Sequence, residues 1–78
     1  KENMLKYYTS PEEIAGHVTG WMKRAKMRRE PIKDTIYRQV DYIEQQAERE
    51  GMSKKDAKDG GQELLRKFVK YAVDRYGA

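Results

Sequence analysis

Residues 32–47 read IKDTIYRQVDYIEQQA, and this stretch has the clearest helical pattern in the chain. Its apolar residues recur at spacings of three and four, which is the period of one face of an α-helix. At about 100° per residue they fall within an arc of about 80°, so one stripe faces a core and the rest faces solvent. The stripe consists of Ile32, Ile36, Val40, Ile43 and Ala47. Gly51 follows where a left-handed residue commonly ends a helix, and the sequence therefore predicts a helix between Pro31 and Gly51.

A second helix precedes this one. Residues 10–13, SPEE, are typical of a helix start, since Ser10 can accept from backbone N–H groups, Pro11 suits the first helical position and Glu13 completes a capping box. Pro31 ends this helix, because the residue before a proline is pushed out of the helical conformation. The apolar stripe in between consists of Ile14, Val18, Trp21, Met22 and Ala25.

The sequence after Gly51 predicts further helix as far as Gly77. Ser53 can cap its start, with Asp56 three residues on. The Gly60-Gly61 pair argues against one continuous helix, because each glycine costs about 1 kcal/mol relative to Ala in a helix interior. We therefore expect a short helix near 53–59 and a long one near 62–76. The long helix should be the most buried in the chain, since its apolar residues form a wide arc: Leu64, Leu65, Phe68, Val69, Ala72, Val73 and Tyr76.

No segment alternates with period two for long enough to predict a strand. The sequence therefore predicts an all-α protein, a small three-helix bundle with its third helix broken at Gly60-Gly61. Residues 10–78 form the single helical domain of this prediction. Residues 1–9 form an apolar N-terminal arm, which lays side chains over the bundle: Met4, Leu5, Tyr7 and Tyr8.

Length and composition limit the function. The chain has 78 residues, a net charge of +4 and a pI of about 9.4. Only 12 residues are Leu, Ile, Val or Phe, so we expect one domain with a thin core and no large catalytic cleft. The absence of cysteine excludes disulfides and thiolate metal sites. No apolar run can span a bilayer or serve as a signal peptide, so we expect no membrane partner and a place in the cytoplasm, a nucleoid or a virion.

Catalysis and metal binding have little support in the sequence. His17 is the only histidine, and no cysteine or second histidine can join it at a metal. Residues 56–61 partly resemble a calcium loop, but Lys58 and Lys67 fall at positions that need oxygen ligands. No Gly-rich phosphate-binding loop is present. We expect a protein that is not an enzyme, with no catalytic residue, no cofactor and no metal.

Residues 21–33 hold the most informative feature, a run of positive charge. This segment carries +5, more than the net charge of the whole chain, because Glu30 is its only acid. The negative end of a helix dipole accounts for about one or two cations, whereas a larger group produces a field suited to phosphates. The basic residues are Lys23, Arg24, Lys26, Arg28, Arg29 and Lys33. A second, weaker cluster consists of Lys54, Lys55 and Lys58.

The basic segment has three interpretations: a solvated helix face, a nucleic-acid-binding surface, or a docking surface for an acidic protein. A helix-turn-helix motif is a weaker hypothesis. Ala57 and Gly61 have the spacing of its turn. However, Gly60, Gln62 and Lys67 stand where that motif buries apolar side chains, and this argues against it.

Two other surfaces suggest a protein partner. Gly16 and Gly20 form Gly-x-x-x-Gly on the first helix with Met27 on the same side, where another backbone could approach closely. The simpler interpretation is that these glycines are merely tolerated. On the second helix, Tyr37 lies outside the core stripe, and an acidic stripe consists of Asp41, Glu44 and Glu48. That stripe is either a solvated face or a docking surface for a basic partner, including a second copy of this chain.

The sequence leaves two functional classes. The first is a small basic, non-enzymatic nucleic-acid-binding protein, which contacts the phosphate backbone largely without sequence readout and coats, packages or regulates the nucleic acid. The alternative is a helical protein-protein interaction or self-assembly module that uses segregated acidic and basic faces, as a homo-oligomer or with a larger partner.

Overall fold

The structure is a computed structural model of the chain, and it describes residues 8–77. These residues form three helices: α1 (Pro11–Arg28), α2 (Ile32–Arg49) and α3 (Lys54–Tyr76). The described range contains no strand, and the predicted all-α three-helix bundle is confirmed. Tyr8 and Thr9 form a 3₁₀ turn before α1, and Tyr8 packs against the core. The rest of the predicted arm, with Met4, Leu5 and Tyr7, lies outside the described residues.

The helix ends follow the predicted caps. The Ser10 hydroxyl accepts from the Glu13 N–H at 3.2 Å, and the Ser53 hydroxyl accepts from the Asp56 N–H at 3.1 Å. Gly51 and Gly77 take positive φ values of 108° and 70° where α2 and α3 end. Each cap satisfies backbone groups that a helix terminus leaves unpaired.

The end of α1 differs from the prediction. The helix ends at Arg28, and Arg29 is left-handed, with φ 57° and ψ 45°. The Arg29 N–H donates to the Lys26 carbonyl at 3.2 Å, and the Glu30 N–H donates to the Ala25 carbonyl at 3.0 Å. Pro31 then stands at the start of α2. The helix therefore ends through a left-handed cap, two residues before the proline.

The core lies along the predicted stripes of α1 and α2. Phe68 of α3 is completely buried at its centre and packs edge-on against Trp21, with ring centroids 4.9 Å apart. The prediction that the third helix is the most buried is wrong, since α2 has six buried residues and the longer α3 has five. Val73 and Tyr76 are 42% and 40% exposed, because two neighbouring helices do not cover an arc as wide as that of α3.

The predicted break at Gly60-Gly61 is also wrong, since α3 is continuous from Lys54 to Tyr76. Gly61 is buried, and a Cβ built on it would collide with the carboxyl group and Cγ of Glu44 in α2. Gly61 thus belongs to the buried stripe of α3 and lets the two helices approach closely. Packing on both sides of the glycines, from Ala57 to Phe68, offsets their unfavourable helix propensity.

The helices run up, down and up. Phe68 of α3 lies beside Trp21 of α1, and Tyr76, two turns further on, lies beside Ala25 and Lys26. We call the end where α1 and α3 finish and α2 begins the Glu30 end, and the opposite end the Gly51 end. Within residues 8–77, no helix has the length and apolarity that crossing a membrane requires.

Candidate nucleic-acid interface

The six cations of residues 21–33 lie together at the Glu30 end. They occupy the last two turns of α1, the turn to α2 and the first turn of α2, and all six side chains are exposed. In the described part of the chain, none of them forms an ion pair with an acid. We call this group the basic cluster: Lys23, Arg24, Lys26, Arg28, Arg29 and Lys33.

Glu30, the only acid in this segment, is turned inward towards α2. Its Oε2 accepts from the hydroxyl of Thr35 and from the guanidinium of Arg38. These bonds, that of Arg38 first, hold the pKa of Glu30 below its ordinary value, and the charge of Arg28 acts in the same direction. The carboxylate is therefore held ionised at the corner, with Oε2 bound by two side chains of α2.

Thr35 and Arg38 bind Glu30 at this end, and the pattern of charges in the sequence does not predict that they do. Thr35 is completely buried, and Arg38 is about half exposed. Both side chains contact Glu30 at the corner between α1 and α2, and they stand five and eight positions after it in the sequence. The only signal in the sequence is that Thr35 stands next to Ile36 at the edge of the apolar stripe.

Two positions of the basic cluster are unfavourable for folding. The left-handed conformation of Arg29 costs a residue with a side chain about 1 kcal/mol. Lys33 lies in the first turn of α2, where the positive end of the helix dipole disfavours a cation. No side chain caps the first N–H groups of α2, so these donors point towards the same end. The Glu30 end thus carries more positive charge than the end of α1 needs for capping and for its helix dipole.

The Lys54 cluster, which consists of Lys54, Lys55 and Lys58, lies at the Gly51 end. The length of α2, about 27 Å for 18 residues, separates it from the basic cluster. Lys55 pairs with Asp59 at 3.0 Å. Burial raises the pKa of Glu44 in α2, and the positive charge of Lys58 acts against that rise. The two predicted clusters do not form one surface.

Arg75 is a further cation of the Glu30 end, and the sequence did not predict it there. It lies in the last turn of α3, is exposed and has no ion pair among residues 8–77. Its neighbour Tyr76 lines a cleft together with Lys26. The up-down-up topology brings Arg75 to this end, and a linear scan for charge runs does not detect it.

Among residues 8–77, nothing covers the predicted glycine surface of α1. A Cβ built on Gly16 or on Gly20 would meet nothing within 4 Å. Met27 is 85% exposed. These three residues share a face of α1 with Lys23, because their spacings are those of one helix side.

The acidic stripe of α2 is not uniformly solvated. Asp41 and Glu48 are exposed, and Asp41 accepts from the amide of Gln45 at 3.0 Å. Glu44 is half-buried over Gly61, and the loss of hydration raises its pKa. Tyr37, on the same side of α2, is 53% exposed. The interpretation of the whole stripe as a solvated face is therefore wrong for Glu44, which packs against α3.

His17 belongs to an aromatic cluster. Its ring lies 5.3 Å from that of Tyr8 and 5.4 Å from that of Trp21, measured between centroids, and it meets the edge of Phe68. Its Nε2 is 3.4 Å from Glu13 and makes no hydrogen bond within the described part of the chain. Residues 8–77 contain no group of three or more side chains placed to hold a metal ion.

Comparison of the chain with protein-family models, with curated proteins and with solved structures found no match.

Proposed function

We propose that this protein is a non-enzymatic nucleic-acid-binding protein that grips phosphates with the basic cluster. In this proposal sequence readout is small, because contacts to phosphates carry no sequence information directly. Such a protein coats, packages or regulates nucleic acid in the cytoplasm, a nucleoid or a virion.

The observation that carries the proposal is the separation of charge at the Glu30 end. Six exposed cations lie within about two helix turns and one corner, and the only acid among them is bound to Thr35 and Arg38. A closely spaced set of unpaired cations releases condensed counterions when it neutralises phosphates, and this release drives binding.

The positions of Arg29 and Lys33 add support. Each places a cation where folding alone favours another residue, and Arg28 is the last residue of α1, directly before the left-handed Arg29. Strained or unfavourable positions are often kept where a side chain serves binding.

A salt titration of wild-type binding to random-sequence oligonucleotides tests the proposal. The affinity should fall steeply between about 50 and 200 mM salt, in proportion to the number of phosphates that the protein neutralises. An absence of binding at the low-salt end, or an affinity without salt dependence, would contradict it.

A self-assembly or protein-docking module is the second candidate function, and the open face of Gly16, Gly20 and Met27 favours it. Met27 is the most exposed of the large apolar side chains described, and the two glycines leave the backbone of α1 accessible. The occupant in this case is a second copy, with its acidic stripe against the basic cluster. Light scattering over a concentration series should then show a dimer or larger species, and a constant monomer mass excludes self-assembly.

A further inference from the structure

A cleft opens at the Glu30 end, where all three helices meet. It has a volume of about 310 Å³, at the lower end of the range for small-ligand sites. Met22, Ala25 and Ile32 provide apolar side chains, and Tyr76 is a partly exposed aromatic wall. Lys26 of the basic cluster and Glu30 also line it.

We infer that this cleft receives one unpaired nucleobase of a single strand whose phosphates lie on the basic cluster, with the base stacked on Tyr76. This inference rests on the proposed function and adds the form of nucleic acid that is bound. Aromatic side chains beside a positively charged track are the usual means of holding single strands, because every base offers a face for stacking.

The aromatic ring is held in position for this role. The hydroxyl groups of Tyr76 and Thr19 lie 3.4 Å apart, a long hydrogen bond between the last turn of α3 and α1. The ring is still 40% exposed. A ring that is partly packed but not covered can stack on a base at a small entropic cost.

Glu30 determines which part of the ligand enters. A phosphate in the cleft would face a carboxylate, so the uncharged base enters and the anionic backbone stays outside on the cations. Oε2 of Glu30 is occupied by Thr35 and Arg38, whereas Oε1 has no hydrogen-bond partner among residues 8–77. A carboxylate oxygen is an acceptor only, so it favours a base with an exocyclic amino group over thymine or uracil, which offer one ring N–H between two carbonyl oxygens.

A paired base cannot use the cleft, because its amino group and its faces are occupied within the duplex. The inference therefore predicts that single strands bind more tightly than duplexes of the same length at the same salt concentration. It also predicts that oligo(dC) binds more tightly than oligo(dT), since cytosine has an amino group from which Oε1 would accept, whereas thymine has a carbonyl oxygen in its place.

The experiment measures fluorescence anisotropy of labelled oligo(dC), oligo(dT) and a random duplex with wild-type protein and three variants. Tyr76→Ala should weaken oligo(dC) binding about tenfold, because it removes one base stack, and should leave the salt slope unchanged. Tyr76→Phe keeps the ring but loses the hydroxyl contact with Thr19, so it should bind oligo(dC) much more tightly than Tyr76→Ala and only slightly more weakly than wild type. Tyr42→Ala is the matched control, since Tyr42 is an exposed tyrosine of α2 outside the cleft. Circular dichroism verifies that each variant is folded.

The outcomes separate this inference from the proposed function. If Tyr76→Ala binds single strands like wild type, or if the duplex binds as tightly as oligo(dC), the nucleobase site is wrong, although salt-dependent binding leaves the proposed function intact. If wild type binds no oligonucleotide at low salt, both are wrong. If Tyr76→Ala loses affinity for oligo(dC) while Tyr42→Ala does not, and wild type binds oligo(dC) more tightly than oligo(dT), both the nucleobase site and the proposed function are supported.

Discussion

At the scale of single residues, Arg29 holds a conformation that glycine adopts without steric cost. Its φ of 57° places it in the left-handed region, where its Cβ is unfavourable. We expect Arg29→Gly to stabilise the protein by about 1 kcal/mol and at the same time to weaken nucleic-acid binding. Urea unfolding and anisotropy on the same preparation measure both effects. A loss of stability, or unchanged binding, would contradict this account of the position.

Glu30 gives the Glu30 end a defined pH dependence. Its pKa is lowered by the bonds from Arg38 and Thr35, so the folded protein favours the charged carboxylate. The stabilisation is fully present above the ordinary pKa of 4.5 and is lost as the pH falls through the lower folded value. Glu30→Gln should therefore lower Tm at pH 7, and the difference from wild type should shrink as the pH falls below 4.5.

Arg38→Gln is the partner variant for this measurement, because it breaks the same ion pair from the other side. Its Tm difference from wild type should narrow over the same acidic range. A Tm difference that stays constant from pH 7 to the acidic range in both variants would show that the ion pair has no role in the stability of this corner.

At the scale of helices, glycine has opposite roles in α1 and α3. Gly20 is exposed with open space around it, so Gly20→Ala should stabilise the protein by about 0.5–1 kcal/mol through helix propensity alone. Gly61→Ala should stabilise less or destabilise, because its new Cβ displaces the side chain of Glu44. In a Glu44→Ala background, Gly61→Ala should stabilise the protein by the full amount expected from helix propensity, about 0.5–1 kcal/mol. Equal effects of Gly20→Ala and Gly61→Ala in the wild-type background would contradict the close approach of α2 and α3.

The helices also show which features the sequence could predict. The caps at Ser10 and Ser53 and the buried stripes of α1 and α2 depend on residues a few positions apart, and their spacing is visible in the chain. The continuity of α3 through Gly60 and Gly61 depends on packing against the other helices, and local propensity alone gives the wrong result. The bonds from Thr35 and Arg38 to Glu30 likewise form only when α1 and α2 meet at their corner.

At the scale of the molecule, topology distributes the charge that the sequence contains. The basic segment predicted from a linear scan stays together because it spans one corner, whereas the Lys54 cluster is carried to the opposite end by α2. The same up-down-up path brings Arg75 and Tyr76 to the basic cluster from far along the chain. The composition of the Glu30 end therefore follows from helix direction, which periodicity alone does not establish.

The most direct test of a phosphate-binding Glu30 end compares two double variants that have the same net charge. Arg28→Ala/Arg29→Ala removes two cations of the basic cluster. Arg49→Ala/Arg66→Ala removes two exposed arginines that lie outside it and form no ion pair in the described range. The measurement is the salt dependence of single-strand affinity, from about 50 to 200 mM. We predict that the first variant binds more weakly and that its slope is smaller by about 1.4, at about 0.7 for each phosphate that is no longer neutralised, while the control keeps the wild-type slope. Equal slopes for the two variants would show that overall charge, and not the Glu30 end, governs binding.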